Sequence, residues 1–88
     1  MYLYVGGDTA AALRGLVGIF DLDAATISKH SRDFLRESQR RGLVHDAGGG
    51  QDLPKSFVVT DKGVFLSPLN SSTLQARAHK FGLTFFDK

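Results

Sequence analysis

Short runs that are apolar, or that alternate between apolar and polar residues, dominate this chain and predict β-strands. They cover residues 1–5, 9–13, 15–20, 43–47, 57–60 and 64–67. Between the last two runs, Asp61, Lys62 and Gly63 are typical of a three-residue hairpin turn with glycine in the left-handed position. Gly15 and Gly18 indicate a bulge or a close backbone approach in the third run.

Residues 25–41 have the period of an α-helix instead. At about 100° per residue, one narrow side of this helix carries Ile27, Ser31, Phe34, Leu35 and Ser38. We expect this side to pack closely on a sheet, with Ile27, Phe34 and Leu35 turned inward. Gly42 follows at the position where a left-handed glycine ends a helix.

A second helix is predicted over residues 72–81, because Ser72 and Gln75 have the spacing of a capping box and Gly82 follows. Strands outnumber helices and the loops are short. The pattern therefore predicts a single α+β domain over residues 1–88, in which a small, mainly antiparallel sheet carries one central helix and one C-terminal helix.

The size of the chain predicts a homo-oligomer. A domain of 88 residues has little core in which to bury seven phenylalanines and the apolar run of residues 83–86. The edges of a small sheet also invite pairing with other subunits. The alternative is that the C-terminal run packs on the chain's own sheet.

Composition excludes several classes of protein. There is no cysteine, so no disulfide or thiolate metal site is expected. No apolar run reaches the roughly 20 residues that span a bilayer, and the N-terminus lacks the features of a signal peptide. These features predict a soluble, cytoplasmic protein without membrane contact. No metal, cofactor or catalytic motif is found, and an enzyme is not expected.

The formal net charge is only +2, so the placement of charges matters more than their sum. Lys29, Arg32, Arg36 and Arg40 project within about 80° of each other on the central helix, opposite its apolar side. Like charges at this spacing repel one another, which makes the row a candidate phosphate-binding surface. The alternative is a solvated helix face, balanced by Asp33 and Glu37. Arg14 and Lys55, beside apolar runs, and Arg77 and Lys80, on the second helix, could extend a basic rim.

Several segments together resemble one bacterial family. They are Gly-Gly-Asp at 6–8, Val-Gly-Ile-Phe-Asp at 17–21, Phe-Leu at 34–35, Pro-Lys-Ser at 54–56, Val-Val-Thr at 58–60, Leu-Ser-Pro-Leu at 66–69 and Ser-Ser-Thr-Leu at 71–74. In this combination the chain resembles the RemA/RemB family of extracellular-matrix (biofilm) regulators, more closely its RemB branch. The resemblance covers nearly the whole chain.

The resemblance implies a cytoplasmic regulator of biofilm-matrix genes that binds double-stranded DNA without an enzymatic step. It also implies a ring of subunits with DNA along a basic outer surface, and a subunit like the LytTR type of DNA-binding domain. Two positions depart from the family pattern. The loop before Lys55 reads Gly50-Gln51-Asp52-Leu53-Pro54, so the expected arginine pair is absent and an acid is present, although Lys55 itself matches a basic residue. Before residues 16–17, Gly15 stands where an arginine is expected, next to Arg14.

Three interpretations remain open at this point. The first is a DNA-binding transcription regulator that uses Arg14, Lys55 and the row Lys29, Arg32, Arg36 and Arg40. The second is a non-enzymatic, oligomeric protein-interaction module that no longer binds DNA directly. The third is a sensor that binds a small ligand in a cavity of the sheet.

Overall fold

The computed structural model describes residues 2–7, 9–22, 28–50 and 52–80, and in this part of the chain six strands and two helices form an α+β fold. In chain order the elements are β1 (Tyr2–Gly6), β2 (Thr9–Ala12), β3 (Leu16–Asp21), α1 (Lys29–Arg40), β4 (Val44–Asp46), β5 (Ser56–Thr60), β6 (Gly63–Ser67) and α2 (Ser71–His79). The expected α+β class is confirmed. The apolar run at 83–86 lies outside the described residues.

The strands form two sheets rather than the single sheet that we expected. β1 and β2 make an antiparallel hairpin, and the other four strands form a sheet in the order β3-β5-β6-β4. Pairing is mostly antiparallel, but β4 runs parallel to β6. The hairpin stands apart because the buried side chains of Leu3 and Val5 pack onto the face of the larger sheet.

The core lies between one face of the four-stranded sheet and a layer made by the hairpin and α2. Ile19 and Val58 contribute from the sheet, and Leu3 and Leu74 from the opposite layer; all four are almost fully buried. α1 contacts β4 and β6. Since successive side chains of β5 point to opposite faces, Phe57 and Val59 lie on the face away from this core, the side on which α1 packs.

The β5–β6 turn differs from the predicted one. Thr60 pairs with Gly63, so the turn has two central residues, Asp61 and Lys62, and Gly63 already belongs to β6. A Cβ atom at Gly63 would lie 2.7 Å from the backbone oxygen of Leu43, so close approach of the backbone explains this glycine. The predicted irregularity in β3 is confirmed, because the β3–β5 register shifts between Leu16 and Gly18.

Both helices begin at other residues than predicted. α1 starts at Lys29, because Ser28 has an extended backbone and its hydroxyl accepts a 3.1 Å hydrogen bond from the Ser31 N–H, which makes Ser28 the N-cap. Ile27 lies outside the described residues. α2 starts at Ser71 with Asn70 as N-cap, so the capping box predicted for Ser72 is wrong. α2 ends at His79 with Lys80 as its C-cap, earlier than the predicted end at residue 81, which lies outside the described residues together with Gly82.

The C-terminal end of α1 is as predicted. Arg41 caps the helix, and Gly42 follows with a positive φ of 73°. No helix in the described part of the chain has the length and apolarity needed to cross a membrane.

Candidate nucleic-acid interface

The four predicted basic residues of α1 do share one exposed face. Lys29, Arg36 and Arg40 expose 77%, 81% and 72% of their side chains. Arg32 lies between them and is also exposed. Regular helix geometry is sufficient to bring these side chains together, since residues three and four positions apart are neighbours on a helix surface.

Two carboxylates on the same helix pair with this row. Asp33 accepts a 2.9 Å hydrogen bond from Lys29 Nζ and lies 3.8 Å from Arg36 Nη1. Glu37 pairs with Arg40, and it accepts a 3.2 Å hydrogen bond from Arg41 Nε. Four basic and two acidic side chains within α1 leave an excess of two positive charges.

These ion pairs are weak. Exposed ion pairs contribute about 0–1 kcal/mol each, so a phosphate could replace the carboxylate partner at little free-energy cost. Arg32 has no ion-pair partner among residues 2–7, 9–22, 28–50 and 52–80.

The pKa of Glu37 is lowered by the arginines beside it. The hydrogen bond from Arg40 lowers this pKa below its ordinary value, partial desolvation opposes the shift, and Arg41 adds to it. The carboxylate of Glu37 therefore stays ionised near neutral pH. It competes with any phosphate for Arg40 and Arg41.

Arg14 and Lys55 lie at opposite ends of the β3–β5 pair. Next to Arg14, the Gly15 carbonyl accepts a 2.9 Å hydrogen bond from the Asp61 N–H, beyond one end of β5. At the other end, the Lys55 carbonyl accepts a 3.0 Å hydrogen bond from the Leu22 N–H. Strands rise by about 3.3 Å per residue, so the two ends are roughly 20 Å apart. Within one subunit, the six predicted residues therefore do not form one compact patch.

Lys55 borders a polar groove of about 380 Å³ at the N-terminal end of α2. Asp21, Leu22, Pro54 and Asn70 complete its lining. Because Asp21 shares the groove, the positive charge of Lys55 is partly balanced there.

The apolar side predicted for α1 is only partly correct. Ser38 is buried and Leu35 half-buried, but 44% of Phe34 is exposed. α1 contacts β4 and β6, and its first half lines a groove against β3 and β5. The expected burial of Phe34 is therefore wrong.

Sequence reasoning missed a second group on the other side of the domain. Tyr2 and Tyr4 are exposed by 63% and 61%, and together with Leu3, Arg77 and Lys80 they line a groove of about 490 Å³. The alternation of these tyrosines with the buried Leu3 and Val5 was a signal that the sequence contained.

Comparison with known proteins establishes the family. No family model matches the chain. The chain is, however, 41% identical over 78 residues to Extracellular matrix regulatory protein B of Bacillus subtilis (strain 168), which covers 89% of this chain and 90% of the relative. This protein belongs to the RemA/RemB family of extracellular-matrix regulators.

The structure describes the surroundings of the two positions at which the resemblance leads us to expect arginines. At Gly15 the backbone has a φ of 92°, and a Cβ atom there would lie 2.6 Å from Asp61 Cγ. An arginine at this position would need a different turn between β2 and β3, so Arg14 is the basic residue that this turn presents. In the loop before Lys55, Asp52 is exposed where an arginine pair was expected.

Proposed function

We propose that this protein is a DNA-binding transcriptional regulator of extracellular-matrix genes, which acts in the cytoplasm as a ring-like homo-oligomer. It requires neither an enzymatic step nor a cofactor. The observation that carries the proposal is the row Lys29, Arg32, Arg36 and Arg40, which stands exposed on one face of α1 in a member of a family whose relative is named a matrix regulator. We also propose that the chain belongs to the RemB branch of the family, and that its subunit resembles the LytTR type of DNA-binding domain.

The row supplies phosphate contacts rather than base recognition. Long, exposed basic side chains fix the position of a duplex and carry little sequence information. An excess of two positive charges per helix gives weak binding for one subunit. Repetition of the row around an oligomer multiplies this weak contact, because binding of each further subunit becomes intramolecular.

Arg14 and Lys55 extend the contact surface only for a ligand that is long enough. A separation of roughly 20 Å corresponds to about six base pairs, since phosphates on one strand recur about every 3.4 Å along the helix axis. A duplex can span that distance and a mononucleotide cannot. We therefore include both residues in the DNA surface as outer contacts.

A second candidate function is an oligomeric protein-interaction module that no longer binds DNA directly. Two observations favour it. Gly15 cannot be exchanged for the expected arginine without strain, and Asp33 and Glu37 already pair with three of the four cations in the row. On this interpretation, the charges of α1 only keep the surface solvated.

The two candidates differ in how DNA affinity depends on charge and salt. The test compares the parent with Arg32→Ala/Arg36→Ala and with Asp33→Asn, using a duplex from upstream of matrix genes and an unrelated duplex of equal length. A DNA-binding row predicts weaker binding of both duplexes by the arginine variant, with the salt slope reduced by about 0.9 for each phosphate that is no longer neutralised. Asp33→Asn should bind more tightly, because it frees Lys29 and Arg36.

Circular dichroism and light scattering first establish that each variant keeps the fold and the size of the parent. Opposite changes in affinity for the two variants would support the row as the DNA surface. If affinity and salt slope equal those of the parent in both variants, α1 is not the DNA surface. If the parent itself binds neither duplex, the interaction-module candidate replaces the first.

A further inference from the structure

Two patches with exposed aromatic side chains lie on this domain, and neither contains a charged residue of the basic row. The first, the tyrosine patch, consists of Tyr2, Tyr4, Arg77 and Lys80. Both tyrosines are mostly exposed because Leu3 and Val5, which alternate with them along β1, face the core. Arg77 is held at the patch by a 3.2 Å hydrogen bond from its Nη1 to the Tyr4 carbonyl.

The second patch, the phenylalanine groove, is a recess of about 310 Å³ between the first half of α1 and strands β3 and β5. The rings of Phe20 and Phe57 stack at its base with a centroid distance of 5.1 Å. Val17, 62% exposed, and Phe34, 44% exposed, also line it. His30 and Ser31 complete the α1 side, and no lysine, arginine or carboxylate is among the described lining residues.

The two patches lie on opposite sides of the domain. In β5, Val58 faces the core that the hairpin covers, whereas Phe57 and Val59 face the groove. The tyrosines lie on the outer surface of the hairpin, one layer further from the groove. A single copy therefore cannot join its own patches, but two copies can be joined head to tail.

The chemistry of the patches is complementary. The tyrosine patch offers two aromatic rings that project from a strand, and the groove offers a recessed aromatic floor. Arg77 and Lys80 would face a groove whose described lining carries no charged residue, so no like charges oppose each other. Guanidinium and ammonium groups are attracted to the faces of aromatic rings, and Phe34 presents such a ring.

We propose that the tyrosine patch of one copy docks in the phenylalanine groove of the next copy. Such an interface is heterologous, the type that closes into a ring when the rotation between subunits allows it. The inference rests on the homo-oligomer of the proposed function, and it adds the two surfaces that build it. It also explains why Val17 and Phe34 are exposed in a domain too small to leave large apolar patches uncovered.

The test uses one variant for each surface. Tyr4→Lys disrupts the tyrosine patch, and Phe34→Asp disrupts the groove; both positions are exposed, so the fold should survive. Tyr2→Lys and Val17→Asp are second variants should either fail to fold. Leu53→Asp is the matched control, because Leu53 is 86% exposed but belongs to neither patch. Masses are measured by light scattering without DNA.

We expect the parent and Leu53→Asp to be oligomers, and each patch variant alone to be a monomer of 9.6 kDa. An equimolar mixture of the two patch variants should give a one-to-one dimer and nothing larger, since the mixture holds only one intact pair of surfaces. This complementation distinguishes a heterologous interface from one that pairs identical surfaces.

Three outcomes would overturn the inference. They are a monomeric parent, a patch variant that keeps the parent's mass, and a mixture that remains monomeric. A further variant lacks residues 81–88. If this deletion gives monomers and Tyr4→Lys does not, the C-terminal segment and not the tyrosine patch is the occupant of the groove. DNA plays no part in this measurement, so the DNA binding proposed for the basic row can fail while this interface stands. A monomeric parent would overturn both the interface and the proposed homo-oligomer, whereas an oligomeric parent whose patch variants keep its mass would overturn the interface alone.

Discussion

The Ser67 hydroxyl donates a hydrogen bond to the backbone carbonyl of Val5, and both residues are fully buried. This contact joins β6 to β1 and thereby ties the four-stranded sheet to the hairpin. The β1–β2 register shifts between Tyr4 and Gly6, and Val5, between them, has no partner in that ladder. The serine oxygen also accepts a 3.1 Å hydrogen bond from the Leu69 N–H, so the same side chain holds the turn after β6 and joins β6 to β1.

Replacement of this serine should destabilise the fold. Ser67→Ala leaves the buried Val5 carbonyl without its donor, and we expect a loss of about 1–3 kcal/mol in the free energy of unfolding. Urea denaturation measures the loss. Ser72→Ala is the control, because Ser72 is exposed and does not cap α2; it should stay within about 0.5 kcal/mol of the parent. Equal stability of all three proteins would contradict the role given to Ser67.

The strands could be predicted from sequence because the alternation of side chains is local information. The division into two sheets could not, since it depends on whether Leu3 and Val5 pack on a sheet face or extend its edge. The start of α1 was predicted too early because helical periodicity does not report a cap. Ser28 has an extended backbone, and it ends the run that periodicity alone would continue.

In the candidate site too, some features follow from local sequence patterns and others depend on the tertiary fold. The row on α1 follows from helix geometry, and so do the pairs of Lys29 with Asp33 and of Glu37 with Arg41. The distance between Arg14 and Lys55 depends on the β3–β5 register, which no local pattern contains. The tyrosine patch was predictable, because residues that alternate with a buried Leu3 and Val5 must face away from the core.

The position of Phe34 on the groove rim lowers its expected contribution to the stability of the monomer. Phe34→Ala should cost less than about 2 kcal/mol, in place of the roughly 3–5 kcal/mol of a fully buried phenylalanine. Phe57→Ala is the matched comparison, since Phe57 is 2% exposed, and it should show the full cost.

Both values come from urea denaturation at a protein concentration where the chain is monomeric, because an interface that includes Phe34 would add a concentration-dependent term. Equal losses in the free energy of unfolding for Phe34→Ala and Phe57→Ala would show that α1 lies closer to the sheet than it does in this structure.

Replacement of Gly15 by arginine should destabilise the turn between β2 and β3. Gly15→Arg must adopt a φ near 92° or rearrange the turn, and its Cβ would meet the Asp61 side chain. We expect a loss of about 1–3 kcal/mol in the free energy of unfolding. Gly49→Ala separates the two causes, because Gly49 also has a positive φ, of 65°, but open space around it.

Adding Asp61→Ala to Gly15→Arg should recover the part of the loss that comes from the clash and leave the part that comes from backbone strain. A Gly15→Arg variant as stable as the parent would show that the β2–β3 turn adapts freely. An arginine at this position would then cost no stability.

The hydrogen bond between Glu37 and Arg40 should be visible in the titration of the carboxyl group. Arg40 is the largest cause of the lowered pKa of Glu37, and Arg41 contributes less. Arg40→Gln should therefore raise this pKa toward its ordinary value, and Arg41→Gln should raise it by a smaller amount. The side-chain carbon resonance of Glu37, followed by NMR as a function of pH, measures both changes.

The direction of this pKa shift determines how the stability of the fold changes with pH. A carboxyl group whose pKa is lower in the folded state stabilises the fold above its unfolded pKa, and that contribution is lost as the pH falls through the folded value. The loss should be small, because both partners are largely exposed and water screens their attraction.

Protonated Glu37 no longer competes for Arg40 and Arg41, so the same titration should strengthen binding to DNA phosphates, which stay ionised. Glu37→Gln should give the strengthened binding at neutral pH and remove its dependence on this titration. If Glu37→Gln bound DNA no better than the parent, the C-terminal end of the α1 row would not contact phosphate.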